Sequence, residues 1–199
     1  MEILFEVKNS TGVITLSRPK ALNALNLNMA IQLSKKLKEW EDDNAVERVI
    51  LLGEGNHFCA GGDVKSVHLS GPFSELKREF FSKEYSLNLQ IKNFPKPYLS
   101  IWKGVVMGGG VGLSIYGDYR IATDSTKFAM PETSIGFFPD VGGSFFLSRM
   151  ENNIGKYLGL TGELIQCKDL LNFGLATHYC REDKLEILIN QYILDGSII

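Results

Sequence analysis

The chain begins with apolar and polar residues in alternation, a pattern typical of half-buried β-strands. Ile3, Phe5 and Val7 share one face of a first predicted strand, and a second alternating run follows around Val13. The turn-forming residues Asn9–Gly12 separate the two runs. The opening of the chain is therefore predicted to form a β-hairpin.

Helical spacing replaces this alternation after the hairpin. Apolar residues recur three or four positions apart at Leu27, Ala30, Leu33, Leu37 and Trp40. The apolar run Val49–Leu52 then predicts a buried strand, parallel to its predecessor because a helix connects the two. An amphipathic stretch at Phe73–Lys92 and an apolar strand at Tyr98–Trp102 repeat this order. The chain is thus predicted to repeat a crossover unit.

The second half of the chain predicts further helices at 154–160 and 167–173, a short strand around Thr177 and a helix from Lys184 toward Leu194. The length suits one domain over residues 1–199, with a core at about 1–180. Residues 181–199 are interpreted as the start of an incomplete C-terminal helical region.

Charge and composition narrow the classes of partner. The formal net charge of −2 comes from acidic and basic residues mixed along the chain, which argues against a nucleic-acid-binding surface. No apolar run approaches the ~20 residues of a membrane span, so no membrane partner is predicted. The N-terminus, with Glu2 and Glu6, has neither signal-peptide nor transit-peptide character. We therefore expect a cytoplasmic protein.

Cysteine and histidine positions predict neither a disulfide nor a metal site. Cys59, Cys167 and Cys180 form no Cys-x-x-Cys pair, and their odd number suits a reducing compartment. The three histidines lack the spacing of zinc ligands.

Two glycine-rich loops follow predicted buried strands. Ala60-Gly61-Gly62 follows the first, with Asp63 placed to cap a helix, and Gly108–Gly112 follows the second. The second loop fits neither the phosphate-binding loop nor the dinucleotide fingerprint, and a tight structural turn remains an alternative. Because glycine lets the backbone approach a ligand closely, each loop is expected to offer one N–H group to a common point, as in an oxyanion hole.

Several motifs carry a resemblance to a known family: Arg18–Leu25, Phe58–Asp63, Gly108–Gly110 and Pro131-Glu132. Together they resemble the crotonase (enoyl-CoA hydratase/isomerase) superfamily. Within it, Phe80–Tyr85, Met107–Ser114 and Met130–Gly143 are similar to the 3-hydroxyisobutyryl-CoA hydrolase branch. The similarity extends from about Ile3 to Tyr179.

The resemblance implies an α/β fold, a crotonase-like spiral of ββα units whose two glycine loops donate N–H groups to a thioester oxygen. On this match the donors are Ala60 and Gly109. An acyl-CoA substrate and a homo-oligomer are implied, since related families form trimers, and no cofactor beyond the substrate's own coenzyme A is expected. Members of this branch are longer, with C-terminal helices over the acyl pocket, so the ending at Ile199 resembles a truncation.

The acidic residues indicate which reaction the resemblance implies. Hydratases carry a glutamate two positions after the glycine triplet, where this chain has Gly112, so hydration is disfavoured. Glu132 is expected either to attack the thioester carbonyl or to deprotonate an attacking water. Asp140 is implied to orient the acyl group or water and to assist departure of the thiolate. Glu84 matches a position that binds the substrate hydroxyl. The expected reaction is hydrolysis of 3-hydroxyisobutyryl-CoA, a step of valine breakdown.

Each of these acids also has a structural interpretation. Glu132 after a proline is typical of a first helical turn, and Asp140 is typical of a helix cap. Glu84 alone is typical of a solvated helix face. Cys59 is interpreted as a small buried residue, with a nucleophile as the alternative.

Coenzyme A contacts are predicted at Lys20, Ala21 and Leu22, because Arg18–Leu22 resembles the family's adenine and phosphate strip. A solvated surface lysine is the alternative for Lys20. Two other functions stay open for the chain: an enoyl-CoA hydratase or isomerase, and a catalytically inactive acyl-CoA-binding or partner-binding fragment.

Overall fold

The computed structural model describes residues 1–198 and folds them into two β-sheets flanked by helices. The larger sheet has six strands in the order β1-β2-β3-β4-β6-β9, and the smaller has three in the order β5-β7-β8. The strands are β1 (Ile3–Lys8), β2 (Thr11–Leu16), β3 (Arg48–Gly53), β4 (Tyr98–Trp102), β5 (Val105–Met107), β6 (Tyr119–Ala122), β7 (Lys127–Ala129), β8 (Ile165–Gln166) and β9 (His178–Tyr179). The helices are α1 (Leu27–Asp42), α2 (Val64–Leu69), α3 (Glu75–Lys92), α4 (Gly109–Gly112), α5 (Gly143–Leu147), α6 (Ile154–Thr161), α7 (Cys167–Asn172) and α8 (Leu185–Asp195).

The predicted N-terminal hairpin is confirmed. β1 and β2 are antiparallel, with Ile3 opposite Leu16. Asn9 and Ser10 close the hairpin with φ of 46° and 60°, the left-handed geometry that suits two-residue hairpin turns. The turn is therefore shorter than predicted, and β2 begins at Thr11. β3 pairs with β2 in parallel, as the intervening helix predicts.

The helix α1 lies across the large sheet and is fixed at both ends. The Asn26 side chain caps it by accepting a hydrogen bond from the Met29 amide at 2.9 Å. At the other end Trp40 packs on Gly12, where a β-carbon would lie 2.6 Å from the indole ring. Leu33 and Leu37 are buried between these ends, and each such side chain contributes about 1.5–3 kcal/mol.

A unit of one strand in the large sheet, one in the small sheet and a helix recurs along the chain. β4 is followed by β5 and α4, and β6 is followed by β7 and a short 3-10 helix at Glu132–Ile135. The prediction that the glycine cluster directly follows β4 is therefore wrong. Gly104, with a φ of 58°, turns the chain into the separate strand β5, and Gly108 follows that strand.

The predicted C-terminal helices and the short strand are confirmed as α6, α7, β9 and α8. α8 covers the face of the large sheet opposite α1, where Leu188 and Tyr192 join a cluster with Ile50 and Leu99. Residues beyond 180 thus contribute to the core, so the boundary predicted near that position does not mark a loss of packing.

Candidate active site

A single parallel bridge holds the two glycine loops side by side. Cys59 pairs with Val106 of β5: the Cys59 amide donates to the Val105 carbonyl at 3.1 Å, and the Met107 amide donates to the Cys59 carbonyl at 3.0 Å. Glycine is required where the loops touch, since a β-carbon at Gly110 would lie 2.5 Å from the Cys59 carbonyl oxygen. The sequence-based expectation that the two loops converge is met.

The two predicted oxyanion donors differ in whether their N–H group already has a hydrogen-bond partner. Within residues 1–198 the Gly109 N–H has no hydrogen-bond partner and lies at the first turn of α4. The Ala60 N–H donates to the Leu22 carbonyl at 3.0 Å. The Ala60 amide is thus paired in this structure, because Leu22 adopts a left-handed φ of 50° that turns its carbonyl to this loop. The role of Ala60 as an oxyanion donor stays a prediction.

Both loops line a cavity of about 420 Å³ into which three carboxyl groups are brought together. Glu84 comes from α3, Glu132 from the 3-10 helix after β7, and Asp140 from the segment before α5. The apolar part of the cavity wall includes Phe80, Phe81 and Phe137. The structure thus unites in one cavity the acids that lie far apart in the sequence.

Glu84 is buried on the inner face of α3, with only 2% of its surface exposed, so the solvated-face interpretation is wrong. Its Oε1 has no hydrogen-bond partner among residues 1–198. Burial, with the nearby charges of Asp140 and Glu132, raises the pKa of Glu84 to about 8. At neutral pH Glu84 is therefore mostly a neutral acid that can donate a hydrogen bond.

Glu132 is the first residue of the 3-10 helix, as one interpretation predicts, yet it is also buried in the cavity. Its Oε1 lies beside Gly108, where a β-carbon would be 2.6 Å away. Burial raises the pKa of Glu132 to about 7, and the charge of Asp140 adds to the shift. A carboxylate with this pKa is poised to take up or release a proton near neutral pH.

Asp140 is half-buried and does not cap a helix, because the residue before α5 is Gly142. The Tyr85 hydroxyl donates to its Oδ2 at 2.8 Å. Burial raises the pKa of Asp140, while the hydrogen bond from Tyr85 works in the opposite direction. Tyr85 is a further residue of the site, and its position next to Glu84, at the end of the motif Phe80–Tyr85, is a sequence signal that could have indicated it.

Cys59 is a core residue. Its side chain is buried, and burial raises the pKa of its thiol to about 12. A thiol that stays protonated is a poor nucleophile, so the alternative role considered for Cys59 is wrong.

Arg18 and Asp63 stabilise the first glycine loop. The Arg18 guanidinium lies 2.9 Å from Asp63 and 2.9 Å from Glu2, and Asp63 caps α2 through the Ser66 amide at 3.1 Å. Burial opposes ionisation of Asp63, but these hydrogen bonds hold its pKa below the usual value. Next to them Lys20 is exposed and Leu22 is partly exposed, as a surface strip requires.

Within residues 1–198, no group of three or more His, Cys, Asp or Glu side chains has an arrangement that holds a metal ion. None of the helices described there combines the length and apolarity of a membrane span.

A sequence profile described as enoyl-CoA hydratase/isomerase matches residues 11–194. The chain belongs to the enoyl-CoA hydratase/isomerase family. The crotonase-like ββα spiral implied by the resemblance is confirmed by solved structures of this family. An enoyl-CoA hydratase from Rhodobacter sphaeroides superimposes with a TM-score of 0.96 at 37% identity, covering 100% of this chain and 60% of that one. A carnitinyl-CoA dehydratase from Mycobacterium thermoresistibile gives a TM-score of 0.95 at 43% identity, covering 98% of this chain and 58% of that one.

Curated relatives within the enoyl-CoA hydratase/isomerase family confirm the branch. The mitochondrial 3-hydroxyisobutyryl-CoA hydrolase of Danio rerio is 48% identical over 94% of this chain and 50% of its own length. The human enzyme of the same name is 46% identical over 94% of this chain and 49% of its own length. A probable 3-hydroxyisobutyryl-CoA hydrolase of Arabidopsis thaliana is 47% identical over 98% of this chain and 52% of its own length. The chain spans about half the length of the curated relatives it matches. The cytoplasmic location expected from the sequence stays a prediction.

Gly112 packs closely against two neighbouring side chains. A β-carbon at this position would lie 2.7 Å from the Val141 β-carbon and 2.8 Å from the Asn88 Nδ2. A glutamate at 112 therefore does not fit without moving α3 or the segment after Asp140. The packing is consistent with the absence of a hydratase glutamate.

Proposed function

We propose that this chain hydrolyses the thioester of a 3-hydroxyacyl-coenzyme A, with 3-hydroxyisobutyryl-CoA as the preferred substrate. The observation that carries the proposal is the convergence of Glu84, Glu132 and Asp140 on a cavity beside the unpartnered Gly109 amide. The names of the curated relatives support the choice of substrate.

The thioester oxygen is bound by the Gly109 N–H, and negative charge develops there as the carbonyl carbon is attacked. A preorganised backbone donor of this kind is worth roughly 10²–10³ in rate. A second donor comes from the Ala60 loop. The Ala60 amide supplies it by exchanging its hydrogen bond to the Leu22 carbonyl for one to the thioester oxygen.

Glu132 performs the chemistry at the carbonyl carbon by one of two routes. As a nucleophile its carboxylate forms a mixed anhydride while the carbon–sulfur bond breaks, and water then cleaves the anhydride. As a general base it takes a proton from a water whose oxygen bonds to the carbon. A pKa of about 7 leaves enough carboxylate for either route at neutral pH.

Asp140 and Glu84 complete the site around the acyl group. Asp140, held by Tyr85, orients the acyl group or the attacking water and assists departure of the coenzyme A thiolate. Glu84 is neutral at pH 7 and donates a hydrogen bond to the 3-hydroxyl group of the substrate. A buried acid without a partner favours a ligand that supplies an acceptor, which gives the preference for 3-hydroxyacyl chains.

Coenzyme A is proposed to lie along Lys20, Ala21 and Leu22. The Leu22 carbonyl contacts the Ala60 loop, so this strip begins beside the cavity and reaches the surface at Lys20. No further cofactor is proposed, and a homotrimer remains a prediction from the family.

The deciding experiment measures thiol release from a panel of acyl-CoA thioesters with and without a 3-hydroxyl group. Glu132→Gln abolishes release from 3-hydroxyisobutyryl-CoA and leaves binding within about threefold, whereas the exposed control Glu151→Gln has no effect. An unchanged rate in Glu132→Gln contradicts the proposal.

Two other functions are separated by the same assays. The high structural similarity to an enoyl-CoA hydratase favours hydration as a second candidate, and crotonyl-CoA tests it. Gly112 and the packing around it predict negligible hydration. An inactive acyl-CoA-binding fragment is the third candidate, and tight binding of a non-hydrolysable acyl-CoA without turnover identifies it.

A further inference from the structure

A second buried polar group next to the carboxylates has no partner. Asn88 lies one helical turn after Glu84 on α3, and 5% of its surface is exposed. Neither its Oδ1 nor its Nδ2 has a hydrogen-bond partner within residues 1–198. Buried amides in native proteins are nearly always bonded, so an unpartnered one calls for a water or a ligand.

The position of Asn88 connects it to the reaction site. A β-carbon added at Gly112 would lie 2.8 Å from the Asn88 Nδ2 and 2.7 Å from the Val141 β-carbon. Val141 follows Asp140 in the chain, so the Asn88 amide lies near the segment that carries this acid.

A second cavity, also of about 420 Å³, reaches the Asn88 side chain. Asn88, Tyr85, Lys92, Tyr116 and Asp140 line it. Asp140 lines both this cavity and the one that holds Glu132. The two cavities therefore adjoin at Asp140, and the second offers space for water close to the acids.

We propose that Asn88 is a positioning residue whose carboxamide holds the hydrolytic water at this junction. The inference rests on the proposed thioester hydrolysis. A carboxamide has both a donor and an acceptor, so it orients a water molecule without ionising beside three acids. Burial and, after it, the charges of Asp140 and Glu132 already raise the pKa of Glu84, and a carboxylate at position 88 would add to that repulsion.

With Glu132 as a base, the water oxygen bonds to the thioester carbon, the carbon–sulfur bond breaks, and the water proton passes through Glu132 to the thiolate sulfur. With Glu132 as a nucleophile, the carbon–sulfur bond breaks as the mixed anhydride forms, and the thiolate leaves first. The water oxygen then bonds to the acyl carbon of the anhydride, the bond from that carbon to the Glu132 oxygen breaks, and one water proton passes through a carboxylate of the site to the thiolate sulfur. Asn88 loses no proton, since it acts only through the water.

The test compares Asn88→Leu, of similar size and without polar atoms, with Asn88→Ser, which keeps a hydroxyl group and leaves room for water. Asn190→Leu, at an exposed position of α8, is the matched control. We expect Asn88→Leu to lower kcat for 3-hydroxyisobutyryl-CoA at least tenfold, with KM within twofold and an unchanged or higher Tm. Asn88→Ser recovers at least a third of the wild-type kcat, and the control behaves as wild type.

Two results overturn the inference while leaving the proposed function in place. One is an active wild type with an equally active Asn88→Leu variant. The other is a loss of kcat accompanied by a lower Tm and a raised KM, which identifies a purely structural role. A wild-type chain that releases no thiol overturns the proposed function and the inference together.

Discussion

The Tyr85 hydroxyl donates a 2.8 Å hydrogen bond to the Asp140 carboxylate and thereby joins α3 to the segment before α5. The bond works against the burial that raises the pKa of Asp140. It also fixes the carboxylate at the point where the two cavities adjoin. Tyr85 thus lowers the pKa of Asp140 and holds its carboxylate in position, without itself taking over the role of the acid.

Removal of this hydroxyl by Tyr85→Phe raises the pKa of Asp140 further, because the lowering contribution of the hydrogen bond is lost. The loss of one hydrogen bond to a charged group is worth about 1.5–3 kcal/mol, so kcat falls by about 10- to 150-fold. The kcat of both proteins for 3-hydroxyisobutyryl-CoA checks this, and an unchanged kcat in Tyr85→Phe contradicts it.

The pKa values of two acids predict a narrow bell-shaped profile of kcat/KM. Glu132 must be ionised, so the rate rises through its pKa of about 7. Glu84 must be protonated, so the rate falls through its pKa of about 8. Assays from pH 5.5 to 9.5 test the two limbs. In Glu84→Gln, which does not titrate, the falling limb disappears; its persistence shows that another group is responsible.

The sequence predicted the elements that have a long periodic pattern and missed several of the shortest strands. The hairpin, α1 and α3 each repeat an apolar period several times, so local propensity and burial agree. β5, β7 and β8 are two or three residues long, and only pairing between distant segments defines them.

The glycine loops and the acidic residues of the candidate site could be predicted from the sequence. The resemblance identified Glu84, Glu132 and Asp140, and the cavity brings them together. The state of the Ala60 amide was not predictable, because it depends on the left-handed conformation of Leu22 in a distant turn. Tertiary contacts that involve two loops leave no periodic pattern in either loop.

The burial of Glu84 predicts a pH-dependent stability. Its pKa rises from 4.5 to about 8 on folding, so the folded state binds more protons between these values. The stabilisation is complete below pH 4.5 and is lost as the pH rises through about 8. Replacement by glutamine removes this dependence. Tm measurements at pH 5 and pH 9 should show a larger gain for Glu84→Gln at pH 9, and the exposed control Glu151→Gln should show none.

The contact between the two glycine loops predicts a severe effect of one added methyl group. In Gly109→Ala the β-carbon would lie 2.4 Å from the Glu84 Oε1 and 2.9 Å from the Gly62 amide nitrogen. Glu84 has to move and the loops have to separate, which displaces the Gly109 N–H from the thioester oxygen. Loss of one such donor costs roughly 10²–10³ in kcat.

The matched control for this prediction is Gly159→Ala, in the helix α6, where the nearest atom to an added β-carbon is the Leu147 side chain at 3.2 Å. Alanine is the better helix former, so this variant should keep both its Tm and its kcat. Thiol release and Tm are measured for both proteins. A Gly109→Ala variant that folds and keeps the wild-type kcat means that the oxyanion is stabilised elsewhere, since a donor displaced by the added methyl group cannot bind the same oxygen.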